Sequence, residues 1–243
     1  MDISAAEHAN LAQKDGITAL KGYADVEGQG ADEAFGNVIA GTKNFTIEAE
    51  VNPNGDVQGY NMIASKGDNT AAFRVSENSV YFFIHNEDGN WVTVQSPLKE
   101  GEENSWLHVA AIYNGNDISV YVEGKELITK EDAGVVTGSE YPLSIGYCPE
   151  TGRTSSNYIR NIRVYNTALT KADLDEGTYG AESENVVLWY DFDDYTYEGV
   201  DMTATDIRAY TSSLTLKSGE SEQIKAGLVP YYAKGALAHR TRF

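Results

Sequence analysis

The sequence predicts an all-β protein, an antiparallel β-sandwich of jelly-roll type with one short helix. Candidate strands recur about every 8–12 residues, with turn signals between them and no alternating helices. Segment 44–51 (NFTIEAEV) alternates apolar and polar side chains with a period of two residues. The 243 residues include 16 Tyr and 23 Gly but only 5 Pro. This composition is typical of short strands joined by tight turns.

The predicted strands begin after a polar N-terminal stretch. Residues 1–15 favour one or two helical turns, and the first strand pattern starts at Ile17. Segment 114–117 (NGND) joins two apolar segments and is a strong hairpin signal. The candidate strands, in chain order, are 17–26, 44–51, 61–65, 71–76, 79–85, 91–95, 106–113, 118–122, 143–147, 156–165 and 186–192.

One short helix is marked near residue 170. Thr170 supplies a hydroxyl N-cap, and Asp173 lies three residues further on, close to a capping box. Gly177 is expected to end the helix, because glycine readily adopts the left-handed conformation found after a last turn.

The charge balance excludes some classes of partner. The chain has 18 Lys and Arg against 37 Asp and Glu, a formal net charge of −19. Such a chain repels polyphosphates, so we expect no nucleic acid partner and no binding to anionic membranes. No run approaches the roughly 18 apolar residues of a membrane span. The single cysteine, Cys148, excludes an internal disulfide and is expected to be a small buried residue.

Several segments together resemble a known fold family. The segments are 44–53 (NFTIEAEVNP), 106–113 (WLHVAAIY), 118–124 (ISVYVEG), 159–168 (IRNIRVYNTA), 169–174 and 188–194 (LWYDFDD). Their order resembles the laminin-G-like, concanavalin-A-like jelly roll. The likeness covers roughly residues 17–195 and implies two packed antiparallel sheets.

A narrower resemblance concerns segments 63–68 (IASKGD), 81–84 with Trp91, and 145–153 (IGYCPETGR). These are similar to modules appended to secreted bacterial glycoside hydrolases, especially relatives of β-galactosidases. The resemblance implies a non-catalytic carbohydrate-binding module, monomeric, secreted or at the cell surface. It implies galactose-terminated glycans as ligand and the neighbouring modules of the parent enzyme as partners.

The resemblance also suggests three parts of the chain. Residues 1–16 are expected to be an N-terminal extension and 17–195 the sandwich. Residues 196–243 are expected to be a linker with a partial Ig-like segment or a non-native tail. Segment 213–226 (SLTLKSGESEQIKA) resembles the opening of a bacterial Ig-like repeat. What remains of the chain is far shorter than the roughly 100 residues of a complete Ig-like sandwich.

A sugar site needs an apolar platform for the C–H face of the ring and planar polar groups for its hydroxyls. The strand at 79–85 and the loop at 147–157 offer both. The candidate residues are Arg74, Tyr81, Phe83, His85, Asn86, Trp91, Tyr147, Glu150, Arg153 and Asn157. The alternative is that the aromatic residues fill the sandwich and the loop is a plain connection. In that case the chain is a structural or protein-interaction domain.

Catalysis is the competing hypothesis. Glu48 and Glu50 share one face of a strand, but the third acid of the glycosidase strand pattern E-x-D-x-(x)-E is missing. We expect both carboxylates to form a solvated polar face. A hydrolase would instead require one of them in a cleft with a raised pKa. His108 is expected to make a structural hydrogen bond.

A structural calcium ion is a further expectation from the resemblance. Calcium prefers carboxylate and amide oxygens. Oxygen-rich turns supply four candidate ligands, Asp68, Asn69, Asp191 and Asp193. No EF-hand spacing is present.

Overall fold

The computed structural model describes residues 11–21, 23–27, 43–141, 143–177, 185–190, 195–196, 213–217 and 223–228. The first strands are β1 (Leu11–Lys14), β2 (Ile17–Lys21), β3 (Tyr23–Glu27), β4 (Phe45–Asn52), β5 (Asn61–Ser65), β6 (Ala71–Ser76), β7 (Ser79–His85), β8 (Trp91–Pro97), β9 (Leu107–Tyr113) and β10 (Ile118–Val122). The remaining strands are β11 (Ile128–Lys130), β12 (Ser144–Ile145), β13 (Tyr147–Cys148), β14 (Arg153–Thr154), β15 (Tyr158–Tyr165), β16 (Val186–Tyr190), β17 (Tyr195–Thr196), β18 (Ser213–Lys217) and β19 (Gln223–Leu228). One α-helix, α1 (Lys171–Glu176), and a 3-10 helix at Glu102–Asn104 complete the described elements.

The strands form two antiparallel sheets. The first sheet has the order β1-β2-β15-β4-β9-β10-β11, with β16 also pairing with β15. The second has the order β17-β19-β18-β3-β12-β5-β6-β7-β8. The hairpin of β13 and β14 forms a two-stranded sheet of its own. The all-β antiparallel sandwich predicted from the sequence is thus confirmed.

The core lies between the two sheets and follows the period-two alternation of the strands. On β4, Phe45 and Ile47 point inward, and on β7, Val80 and Phe82 do the same. Phe45 meets Phe82 edge-on across the sandwich, with ring centroids 6.1 Å apart. Each such side chain contributes about 1.5–3 kcal/mol by leaving water.

Both outer faces are partly covered, and this coverage creates the surfaces considered below. On the first sheet, a cluster that includes Tyr121, Leu174 and Trp189 packs outside the strands. On the second sheet, Cys148 of β13 packs with Met62, Ala72 and Phe83. Cys148 is fully buried, as predicted.

The local signals for α1 are confirmed. The Thr170 side chain accepts a hydrogen bond from the Asp173 amide, and the Asp173 carboxylate accepts one from the Thr170 amide, which completes a capping box. Gly177 follows in the left-handed region with φ 61°. In the described part of the chain, no helix has both the length and the apolar character needed to cross a membrane.

Several predicted boundaries were wrong. The strand predicted at 17–26 is two strands, β2 in the first sheet and β3 in the second. Residues 11–14 form β1 rather than helix, because Asp15 and Gly16, both with positive φ, make the turn that pairs β1 with β2. The strand predicted at 143–147 is divided into β12 and β13 at Gly146, which has φ 71°.

The two strands described beyond residue 212, β18 and β19, extend the second sheet. β18 lies antiparallel to β3, with Leu214 opposite Val26, and β19 lies beside β18. The predicted three-part division of the chain, including an Ig-like origin for this segment, stays a prediction.

Candidate functional site

An exposed tryptophan stands on β8 at the edge of the second sheet. Trp91 is 62% exposed, and its indole nitrogen donates to the main-chain carbonyl of Asp68 at 3.3 Å. The ring of His85 meets it edge-on, with centroids 5.1 Å apart. His85 Nδ1 lies 3.3 Å from the Thr137 hydroxyl. The indole is therefore held in a fixed orientation while most of its surface remains open to water.

A guanidinium group lies further along the same face, on β6. The register places Arg74 opposite Tyr81 of β7. Its Cζ atom lies 4.6 Å from the Tyr60 ring centroid, 5.0 Å from that of Phe83 and 5.5 Å from that of Tyr81. Burial, followed by the nearby charge of Arg153, lowers the pKa of Arg74. Arg74 Nε is buried and has no hydrogen-bond partner.

The loop at 147–157 docks onto the turn between β5 and β6. Arg153 forms an ion pair with Asp68, and its Cζ lies 4.5 Å from the Tyr60 ring centroid. Glu150 accepts hydrogen bonds from the main-chain and side-chain amides of Asn69, the first at 2.9 Å. The loop thereby brings charged groups next to the face that carries Arg74.

Most of the predicted sugar-binding residues meet on or beside this face. These are Arg74, Tyr81, Phe83, His85, Trp91, Glu150 and Arg153, and we call this surface the β6–β8 face. Tyr147 is partly buried at the base of the docked loop. Tyr81 and Phe83 are themselves buried, and the Tyr81 hydroxyl donates to Glu77 at 2.9 Å.

Two predicted residues are placed elsewhere. The Asn86 amide donates to the Ala133 carbonyl at 2.9 Å, so it supports the turn before β8. The Asn157 amide donates to the Asn61 carbonyl at 3.2 Å, and this side chain is 0% exposed. Both side chains hold the backbone in place.

Sequence reasoning missed one residue of this surface. Tyr60 is 48% exposed and contacts both Arg74 and Arg153 through its ring. It lies in a loop fourteen positions before Arg74, so no local pattern connects the two. The sequence offered one signal. Tyr60 is an aromatic residue directly before β5, and Met62 on that strand points to the same outer face.

The proposed calcium ligands divide into two pairs. The Asp68 carboxylate is paired with Arg153, and the Asn69 amide with Glu150. The positive charge of the Arg153 guanidinium beside the Asp68 carboxylate would repel a divalent cation. Asp68 and Asn69 therefore do not fit a calcium site. No cluster of three metal-binding side chains occurs among the residues that the structure describes. Asp191 and Asp193 lie outside those residues, and calcium there stays a prediction.

The outer face of the first sheet carries a concave surface. A cavity of about 420 Å³ lies beside β4, β9 and α1. Its lining residues include Glu48, Glu50, Trp106, His108, Arg163 and Asp175. The expectation of a solvated polar face was wrong for Glu48, which is 5% exposed, because α1 and its flanking segments pack over this part of the sheet.

Glu48 lies at the centre of a buried polar network. His108 Nε2 lies 2.6 Å from its carboxylate, Arg163 lies 3.4 Å away, and the Tyr165 hydroxyl donates to it. Burial acts to raise the pKa of Glu48, but the His108 hydrogen bond and the Arg163 charge together hold it below its ordinary value. The structural hydrogen bond predicted for His108 is confirmed.

The surroundings of Glu48 differ from those of a glycosidase's general acid. A general acid requires a raised pKa, and that of Glu48 is lowered. Glu50 accepts a hydrogen bond from Asn161 at 2.7 Å and pairs with Arg160 at 3.2 Å. Both carboxylates are therefore committed to stabilising the outer face of the sheet.

Comparison with known proteins assigns the chain to a superfamily. The family model described as the concanavalin A-like lectin/glucanases superfamily matches residues 27–175. The chain belongs to this superfamily. The assignment agrees with the two antiparallel sheets.

Solved structures with the superfamily fold include a candidate carbohydrate-binding protein from Bacteroides ovatus. It is 20% identical with a TM-score of 0.61, and the match covers 89% of this chain and 60% of that protein. The chain thus spans less than two thirds of that protein. The heptameric SAP-like pentraxin of Limulus polyphemus is 14% identical with a TM-score of 0.46, covering 71% of this chain and 81% of the other. The binding domain of Paraclostridial Mosquitocidal Protein 1 is 13% identical with a TM-score of 0.48, covering 90% and 57%.

Proposed function

We propose that the chain is a non-catalytic carbohydrate-binding domain whose site is the β6–β8 face. The main evidence is the exposed indole ring of Trp91. Its indole is fixed through the Asp68 carbonyl and the His85 ring, yet it remains 62% exposed. A flat apolar surface held in one orientation binds the C–H face of a sugar ring with little loss of side-chain entropy.

Polar groups around the platform would select the sugar. His85 stands beside the indole, and Arg153 and Glu150 are fixed on the neighbouring loop. Fixed donors and acceptors discriminate between axial and equatorial hydroxyls, because a misplaced hydroxyl leaves a polar group without a partner. The superfamily fold and the Bacteroides ovatus neighbour support this role.

The finer proposals rest on the sequence resemblance alone. We propose that the domain directs a secreted bacterial glycoside hydrolase to its substrate, and that its neighbours in the chain are further modules of that enzyme. Galactose-terminated glycans are the proposed ligand. A calcium ion near Asp191 and Asp193 is the proposed cofactor.

The first test is a glycan array probed with the chain displayed on beads, in calcium and again in chelator. Multivalent display compensates for the weak binding of single sugar sites. We expect selective binding, reduced at least about tenfold by Trp91→Ala, because a central Trp contact is commonly worth more than about 1.4 kcal/mol.

The matched control is Ile128→Ala. Ile128 is also exposed, lies on β11 of the other sheet and is not one of the residues that form the β6–β8 face. Equal binding by wild type and Trp91→Ala would contradict the proposed site. No binding to any glycan by a folded sample would instead favour a protein-interaction domain.

A further inference from the structure

We infer that Arg74 binds the oxyanion of an acidic sugar, a carboxylate or a sulfate ester, within the glycan held on the β6–β8 face. The inference deepens the proposed function and rests on it. Its basis is that the N–H donors of this guanidinium group have no acceptor among the nearby carboxylates.

Every carboxylate near Arg74 is already engaged. Asp68 pairs with Arg153, and Glu150 accepts from both amides of Asn69. Glu77, at the turn between β6 and β7, accepts from the Tyr81 hydroxyl. The Arg74 side chain makes no hydrogen bond or ion pair with any described residue.

The Arg74 guanidinium group is surrounded by aromatic rings. Three aromatic rings, those of Tyr60, Tyr81 and Phe83, lie within 5.5 Å of its Cζ. Rings stacked on the faces of a guanidinium group stabilise it, but they accept no hydrogen bonds from the N–H groups at its edge. A partly desolvated cation without an acceptor is costly, and an anion at its edge offsets that cost.

Arg74 has a second cation next to it. The Cζ atoms of Arg74 and Arg153 lie 4.6 and 4.5 Å from the centroid of the Tyr60 ring. The positive charge of Arg153 disfavours the charged form of Arg74. Asp68 makes its ion pair with Arg153, and its charge favours the Arg74 guanidinium only from outside ion-pair distance. A planar fork of donors in this setting matches the two oxygens of a carboxylate or sulfate.

The distance to Trp91 indicates an oligosaccharide rather than a single sugar. Arg74 aligns with Tyr81 on β7, and Trp91 aligns with His85, four residues further along β7 and one strand beyond it. Strand geometry places the two positions about 16 Å apart. The acidic sugar at Arg74 and the sugar stacked on Trp91 are therefore different residues of one chain.

The overall charge of −19 acts against anionic ligands, so recognition must be local. At about 0.15 M salt the screening length is near 8 Å, which is shorter than the span of the molecule. Binding is therefore measured at that salt concentration, where the contact with Arg74 outweighs the distant acidic residues.

The test compares three probes by titration calorimetry: a neutral galactotetraose, tetragalacturonic acid and a sulfated galactotetraose. We expect at least one acidic probe to bind about 10- to 100-fold more tightly than the neutral probe, because hydrogen bonds between charged groups are stronger than those to a neutral hydroxyl. The acidic probe that binds better identifies the oxyanion. Arg74→Met should abolish this preference, so that the variant binds the acidic and the neutral probes with affinities that agree within about twofold.

Two further variants keep the test decisive. Arg74→Lys retains the charge without the fork and should keep part of the preference. Lys130→Met removes one positive charge from the exposed strand β11 of the other sheet and should change nothing. Thermal melting of each variant verifies the fold.

The outcomes separate this inference from the proposed function. Neutral binding that depends on Trp91, with no acidic preference or with a preference that survives Arg74→Met, would overturn the inference alone. Absence of binding by all three probes and by the glycan array would overturn the proposed function and the inference with it.

Discussion

At the scale of single residues, Glu48 shows how a charged side chain can serve a β-sandwich from outside its main core. Its position on β4 follows from the alternation of that strand, which points Phe45 and Ile47 inward and Glu48 outward. The outward face is nevertheless covered, and the carboxylate is held by His108 and Arg163. Removing one partner of such a network leaves the others buried without compensation.

Glu48→Gln is therefore expected to lower the free energy of unfolding by about 3 kcal/mol at pH 7. The measurement is urea denaturation followed by tryptophan fluorescence. Glu123→Gln is the control, because Glu123 borders the same cavity but is exposed. A loss no larger than that of the control would show that the network contributes little.

The same residue gives a pH dependence of definite sign. Because folding lowers the pKa of Glu48 below its ordinary value of 4.5, the stabilisation is present above pH 4.5. It is lost as the pH falls through the folded-state pKa. The difference in unfolding free energy between wild type and Glu48→Gln should thus shrink towards zero on acidification below pH 4.5. A difference that grows on acidification would contradict the assignment.

At the scale of elements, the sequence was most informative where one strand pattern decided the outcome. The bounds of β5, β6, β7 and β10 agree with those predicted, because turn residues and alternation mark both ends. The pattern could not show that an outward face would be covered, which is why Glu48 was misplaced. It also could not connect Tyr60 with Arg74, since only the register of β5 and β6 brings these segments together.

The turn between β5 and β6 depends on Gly67. This residue has φ +93°, and a Cβ atom there would lie 2.9 Å from the Tyr141 ring and 3.0 Å from the Glu150 carboxylate. The loop at 147–157 can therefore dock closely only because position 67 has no side chain.

Gly67→Ala is expected to lower the free energy of unfolding by about 1–2 kcal/mol more than Gly89→Ala does. Gly89 is the matched control, because it has a similar φ of +80° but a Cβ atom there would meet nothing within 4 Å. Both variants incur the backbone strain, and only Gly67→Ala adds the steric overlap. Chemical denaturation measures the difference, and equal losses would show that the loop yields without cost.

At the scale of the whole molecule, the charge balance opposes compactness. The 37 acidic residues outnumber the 18 basic ones, and repulsion between them raises the free energy of the folded state. Many of the pairs that offset this repulsion lie at the surface, such as Lys171 with Asp175 in α1, and contribute little.

Raising NaCl from about 20 to 200 mM should therefore raise the melting temperature by about 2–4 °C, corresponding to about 1 kcal/mol. Differential scanning calorimetry at pH 7 gives this value directly. A fall in melting temperature over the same range would mean that attractive ion pairs, and not net repulsion, dominate the electrostatics of the fold.

The only thiol of the chain makes the docked hairpin of β13 and β14 observable without an introduced label. Cys148 is the one cysteine in the sequence and is fully buried against Met62, Ala72 and Phe83. A thiol reagent reaches it only when the hairpin lifts from the sheet, so the rate of modification reports the free energy of that local opening. Since Arg153 belongs to the same hairpin, the reaction of one native sulfur atom follows the stability of the proposed site apart from that of the whole domain.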